Sequence, residues 1–255
     1  MLITCDMGNT STKFALFDGE NQLSFTFVET TDMDYKSFIK SFLYKANIRE
    51  SQVDDSIIAC VVPKLKKSII SALKAVVGKD PIVISNDFHP GIGIDNEITD
   101  SIGADLLVMS AYSFQKIKKE LVVVSLGTAT VLTHVSKFGI FKHCIIAPGF
   151  ATLASTLYKN AAGLPQFEAT KHNTFLANNT IDAMSIGVYD GFIGMVRYLL
   201  AGMRGQIGTN PIVIGCGGAG KDIAQYITDF SAYNADLVTI GLNFIYNKYI
   251  KKWIE

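Results

Sequence analysis

The sequence predicts a duplicated α/β fold built from two mixed sheets. Apolar strand-like runs alternate with segments of helical periodicity along the whole 255-residue chain, which implies α/β layering. The order then restarts after Lys118-Lys119-Glu120. Each half opens with an apolar strand, a glycine turn and a hydroxyl-rich return strand: Leu2–Gly8 with Ser11–Lys13, then Leu121–Gly127 with Thr128–Thr130. The antiparallel opening strands make each otherwise parallel sheet mixed. The halves are expected to divide as 1–117 and 118–255, with a small-ligand cleft between them.

In the first half, residues 2–6, 13–18 and 22–29 read as three strands separated by Gly and Asn turns. Residues 34–46 read as a helix with Phe38, Ile39, Phe42 and Leu43 on one face. A continuous apolar strand at 56–62 is closed by Pro63, and a helix at 64–76 carries Leu65, Ile69, Ile70 and Leu73 at helical spacing. Residues 81–85 form another strand, a loop runs through His89-Pro90-Gly91, and a helix covers about 103–118. The second half reads as strands at 121–127, ATVLTHV and GIFKHCIIA. Helices follow at about 149–160 and 181–204, then a strand at 211–218 and a final helix at 236–251.

Composition narrows the function classes. At 49% hydrophobic and 18% charged residues, the chain supports a packed core and not disorder. Lys plus Arg equals Asp plus Glu at 23 each, so non-specific nucleic-acid binding has little electrostatic support. Cys5, Cys60, Cys144 and Cys216 form no CxxC pair, which suits buried free thiols in a reducing cytoplasm. The N-terminus lacks a basic n-region, so no signal peptide is expected. No apolar run reaches the roughly 18 residues of a membrane span. His89, His134, His143 and His172 show no metal-ligand spacing and are expected on the surface or in loops.

The chemistry concentrates in residues 5–13, Cys-Asp-Met-Gly-Asn-Thr-Ser-Thr-Lys. A strand delivers Asp6 to its end, where a carboxylate can hold hydrated magnesium. Gly8 permits a tight turn, Asn9, Thr10, Ser11 and Thr12 offer small polar side chains, and Lys13 supplies a cation for phosphate oxygens. The alternative is an ordinary hairpin turn. The equivalent turn at Ser125-Leu126-Gly127-Thr128 favours a two-sided grip on one phosphate tail. Gly215-Cys-Gly-Gly-Ala-Gly220 formally matches a dinucleotide fingerprint. Only 35 residues follow it, however, so a turn packed against a base or ribose is the better reading. Asp105 falls in the first turn of a helix, either as a helix-dipole aspartate or as a general base. Neither a P-loop nor a kinase catalytic-loop signature is present.

Taken together these residues resemble the type III pantothenate kinase family, of the acetate and sugar kinase, Hsp70 and actin superfamily. The match runs over essentially the whole chain. Asp6 to Lys13 fits D-x-G-N-T-x-x-K, and Cys60-Val-Val-Pro63 fits the S-V-V-P strand end. Gly103-Ala104-Asp105 fits the start of G-A-D-R, and Gly127-Thr-Ala129 fits G-T-A. Pro148-Gly149, Leu164-Pro165, Thr180–Gly187 and Gly217-Gly218 complete the set in order. The resemblance implies a duplicated ribonuclease H-like, actin-like ATPase fold with two mixed-sheet domains flanking a nucleotide cleft. It implies ATP-dependent phosphorylation of pantothenate, the first step of coenzyme A biosynthesis. Asp6 would hold Mg2+, while Asp6, Met7, Gly8, Asn9, Thr10, Ser11, Thr12, Lys13 and Thr128 would bind ATP. Asp105 would be the base, and Gly103, Ala104, Leu106 and Thr180 would line the pantothenate pocket. A homodimer and a monovalent cation (K+ or NH4+) near Ser125 are implied as well.

Three positions depart from the family pattern. Leu106 replaces an arginine, Ser125 replaces an aspartate, and the loop near Ile94 lacks a tyrosine. All lie at the substrate and cation sites, and the nucleotide turn is intact. An ATP-binding regulator with weak or no kinase activity is therefore the alternative, with a sugar or acyl-acid kinase of the same superfamily as a third.

Overall fold

The computed structural model describes residues 1–88, 91–98 and 100–251. His89, Pro90 and part of the loop read through them lie outside that set. The chain forms two units, Met1–Lys118 together with the stretch from Leu237 onward, and Lys119–Asp236.

The first unit is built on the order β3-β2-β1-β4-β5. Its strands are β1 (Leu2–Met7), β2 (Ser11–Asp18), β3 (Asn21–Glu29), β4 (Asp55–Cys60) and β5 (Ile82–Val83). β1 pairs antiparallel with β2 and parallel with β4, so the sheet is mixed. A further short strand, β6, is Gly93–Ile94. The period-2 alternation of β1 sorts its side chains between two cores. Ile3, Cys5 and Met7 join Phe14, Leu16 and Ile58 in one core. The same core takes Ile39, Phe42 and Leu43 of α1 (Tyr35–Lys45) and Ile69 and Leu73 of α2 (Pro63–Val77). Leu2 joins Ile57, Ala59 and Ile84 on the opposite face. That face is covered by α3 (Ala104–Ile117) and α6 (Leu237–Ile245) through Leu107, Val108, Leu242 and Ile245. By the same alternation Asp6 lies on the α3 face.

Local chemistry sets the helix ends. Asp34 caps α1 by accepting from Ser37 N at 3.1 Å. Pro63 starts α2, where its missing N–H costs nothing, and Gly78 ends it in the left-handed region. The expected final helix stops being α-helical at Ile245 and continues as a π-helical turn, Tyr246–Ile250. It packs in the first unit although the sequence order places it in the second half. Its apolar residues complete the face left open by α3, and Asn243 and Asn247 each donate to the Gly19 carbonyl, at 3.0 and 3.1 Å.

The second unit repeats the opening. β7 (Leu121–Leu126), β8 (Ala129–Val135), β9 (Ile140–Pro148), β10 (Ile212–Cys216) and β11 (Ala232–Asn234) run in the order β11-β10-β7-β8-β9. Val122, Val124 and Leu126 face α5 (Thr180–Ile207), which buries Phe192, Val196 and Leu200 against them. Asn179 caps α5, accepting from Asp182 N at 2.9 Å. The preceding helix, α4, is Phe150–Asn160. No helix among the described residues is long and apolar enough to cross a membrane.

Two sequence expectations are corrected here. Cys5 and Cys216 are buried, but Cys60 is half-buried and Cys144 exposed, because Cys144 sits on the outward half of β9. His134 is not a surface residue. It is buried on β8, stacks on His143 at 5.5 Å, and its Nε2 lies 3.1 Å from Glu120 Oε1. Burial holds its pKa below the ordinary 6.5, outweighing the pull of Glu120. The folded state therefore binds this proton less readily than the unfolded chain. His134 contributes stability that is fully present above about pH 6.5 and is lost as pH falls below it. Urea unfolding at pH 7.5 and 5.5 should show a smaller loss for His134→Gln than for the unsubstituted chain. Equal losses would remove His134 as the cause.

Candidate active site

β1, β4 and α3 bring the first-unit candidates to one edge of the sheet, at the carboxyl ends of the parallel strands, where α/β sheets bind ligands. Asp6 is opposite Lys13 in the β1–β2 ladder, so both side chains emerge on the same face. Met7 extends the edge by accepting from Val61 N at 3.1 Å. The connection between β1 and β2 closes with Gly8 N donating to Ser11 O at 3.1 Å, leaving Asn9 and Thr10 exposed.

A residue that sequence reasoning missed holds this turn. Thr30, just after β3, donates its N–H to Thr10 O at 2.9 Å and its hydroxyl to Gly8 O at 2.8 Å. It also shares a 2.9 Å bond with the hydroxyl of buried Thr12. Three bonds from one small residue fix the turn in place. The signal available was only register: a third strand returning beside the turn must end near residue 30.

Asp105 stands in the first turn of α3. Its Oδ1 accepts from Leu106 N at 2.9 Å. Burial pushes its carboxyl above the ordinary 3.8, with the Leu106 N–H pulling the other way. Gly103 precedes it, and a Cβ there would stand 2.6 Å from Asp105 Oδ1, so a side chain at 103 would displace the carboxylate. The same Cβ would touch Val61 at 3.6 Å, which places the start of α3 beside the strand end that bonds Met7. The start of α3 thus lies beside the end of β4, next to the strand end that carries Asp6, and Asp6 and Lys13 are opposite each other in the neighbouring ladder. Leu106, half-buried, is apolar and adds no charge.

In the second unit, Gly127 N donates to Ala129 O at 3.1 Å, repeating the first turn one residue shorter. Gly149 takes the place of Thr30. Its N–H donates to Thr128 O at 3.1 Å, and Thr152 Oγ1 donates to the same carbonyl at 2.8 Å. A Cβ on Gly149 would collide with the carbonyls of Gly127 and Thr128, so only glycine lets α4 start this close to the turn. Ser125 occupies the position of Asp6. Its register neighbours are Val131 and Cys216, and the position of Lys13 is taken by Val131. Thr180 is exposed at the first position of α5, within this unit.

The glycine run after β10 forms two short 3-10 turns, Gly218–Gly220 and Ala224–Tyr226, in place of a dinucleotide-binding helix. Tyr233 donates its hydroxyl to Gly217 O, and Gly220 packs on Leu126 of the turn-bearing strand.

Two mixed sheets, each opening with a strand, a tight glycine turn and a return strand, define an actin-like ATPase and sugar kinase fold. Component A of (R)-2-hydroxyglutaryl-CoA dehydratase from Acidaminococcus fermentans shares it at TM-score 0.57 and 12% identity, over 100% of this chain and 99% of that one. A Campylobacter jejuni protein described as a Baf-family transcriptional activator does so at 0.60 and 22%, over 96% and 98%. At these identities the likeness shows the fold alone. The family model described as Type III pantothenate kinase matches residues 2–202. A Bifidobacterium longum relative of that name is 31% identical over 257 residues, 98% of this chain and 100% of the relative. The chain belongs to the type III pantothenate kinase family.

Proposed function

We propose that this chain transfers the γ-phosphoryl group of ATP to the primary hydroxyl of pantothenate, the first step of coenzyme A biosynthesis. The observation that carries the reading is the placement of Asp105. It is a carboxylate with a raised pKa, in the first turn of the helix that covers the sheet face of Asp6 and starts beside Val61, which bonds the end of β1. A general base works best when its pKa is raised toward the operating pH while it remains ionised. Asp105 takes the proton of the attacking hydroxyl, and Gly103, Ala104 and Leu106 line the pantothenate pocket. The turn from Asp6 to Lys13 holds the ATP phosphates. Positioning and charge neutralisation supply most of the rate in such a transfer.

Mg2+ fits Asp6, because magnesium keeps most of its waters and needs only one or two carboxylates beside substrate phosphates. When bound, it neutralises the charge of the β- and γ-phosphates. A strong monovalent-cation site at Ser125 does not fit. A neutral hydroxyl with Val131 and Cys216 in register beside it offers no carboxylate, and no step is routed through such an ion. We propose a cytoplasmic homodimer, with the partner subunit completing the substrate pocket.

Leu106 favours one competing reading, an ATP-binding regulator that transfers phosphate poorly. The test is ADP release with pantothenate, sugars and short acyl acids offered in turn. Release that depends on pantothenate alone is expected. ATP binding by thermal shift with no pantothenate-dependent release would favour the regulator.

A further inference from the structure

The α3 face of the first unit carries a concavity at the end remote from Asp6. It is a cavity of about 560 Å3, within the range of small-molecule sites. Phe17, Tyr112, Ile240 and Phe244 supply its apolar wall, and Lys116 and Lys248 supply its charge. Phe17 is opposite Leu2 in the β1–β2 ladder, four residues from Asp6 along β1, which is about 13 Å of strand. Tyr112 lies seven residues beyond Asp105 on α3, about 10 Å of helix rise. The cavity is therefore separate from the candidate active site.

The charge arrangement points to the ligand. Lys116 Nζ stands 5.0 Å from the Phe244 ring centroid and Lys248 Nζ stands 5.2 Å from the same centroid. Lys116 also lies over Tyr112 at 5.8 Å, and Tyr112 and Phe244 meet edge to face at 5.4 Å. Two ammonium groups thus converge on one ring. Lys248 donates to the neutral Gln115 Oε1 at 2.7 Å, an oxygen that also accepts from Lys118 Nζ at 2.6 Å, and neither Lys116 nor Lys248 forms an ion pair among the described residues. Glu20 is the acidic residue in the lining, and it is exposed on the turn after β2. An anion between two ammonium groups gains from both charges, and the rings offer a flat apolar seat beside it.

We propose that this cavity binds a ring-bearing organic anion. The ring packs against Tyr112 and Phe244, and the carboxylate, sulfonate or phosphate bridges Lys116 and Lys248. The site is independent of the kinase reading, so either can fail without the other.

The test uses the full chain saturated with MgATP, with 2-naphthoate and the neutral 2-naphthol as probes in calorimetric titration. One equivalent of 2-naphthoate should bind, at least tenfold tighter than 2-naphthol. Lys116→Gln and Lys248→Gln, both surface changes, should each weaken it several-fold, and together at least tenfold, with the melting temperature unchanged. The proposal is overturned by absence of saturable 2-naphthoate binding, by equal binding of 2-naphthol, or by undiminished binding in the doubly substituted chain. Binding seen in a parallel titration without MgATP and lost in the MgATP-saturated chain would also overturn it, because the probe would then be in the nucleotide site.

Discussion

Asp105→Asn should lower kcat for pantothenate phosphorylation by about 10²- to 10⁴-fold, the usual contribution of a general base. The substitution is close to isosteric, and an asparagine oxygen can still accept from Leu106 N, the bond that now orients the carboxylate at 2.9 Å. It also removes the burial penalty on the charged form that raises the pKa. The melting temperature should therefore hold or rise while activity falls. The pH profile gives an independent reading. A base must be deprotonated, so kcat/KM for pantothenate should fall on the acid side, at a pH above the ordinary 3.8 of an aspartate. That limb should vanish in Asp105→Asn. Unchanged kcat with an unchanged profile would return Asp105 to the role of a helix-start aspartate.

Asp6→Asn should cost at least about 100-fold in kcat/KM for MgATP. A metal at a transferring phosphoryl group is worth several kcal/mol, and each 1.4 kcal/mol is tenfold. Asparagine keeps the shape at the end of β1 and removes the charge that attracts the metal. It also removes the negative charge opposite Lys13 in the ladder, so folding should be monitored by circular dichroism. Raising Mg2+ should recover part of the lost activity, because the defect is in metal affinity. A folded variant with normal MgATP kinetics would mean that Asp6 does not hold the metal.

The parts of the structure legible in the sequence were those written in local chemistry. The strand-turn-strand openings carry their own glycine and hydroxyl residues, and the helices over 35–45, 63–77 and 104–117 follow apolar periodicity to within a residue or two. What could not be read depends on contacts distant in sequence. Thr30 is an ordinary threonine until β3 brings it back to the turn. Gly149 reads as a helix start, and only the pairing of β8 with β9 shows that it stands against the carbonyls of residues 127 and 128. His134 lacks any local mark of burial, since the histidine stacked on it belongs to the next strand. The last helix has the periodicity of any amphipathic segment, and nothing local assigns it to the first sheet. The glycine run at 215–220 is a case where spacing alone is insufficient, and the turn reading preferred for it agrees with the structure. Its spacing fits a phosphate loop, but the helix such a loop requires is replaced by 3-10 turns.

The substrate site is where sequence and family pattern diverge most, through Leu106 and Ser125. Product identification decides whether phosphate reaches pantothenate despite those changes. The purified chain is incubated with MgATP and pantothenate, and the products are resolved by phosphorus NMR and mass spectrometry. The expected result is 4'-phosphopantothenate formed in equal amount to ADP, and none when pantothenate is omitted. ATP bound by the folded chain with no phosphorylated pantothenate formed would rule out the kinase reading.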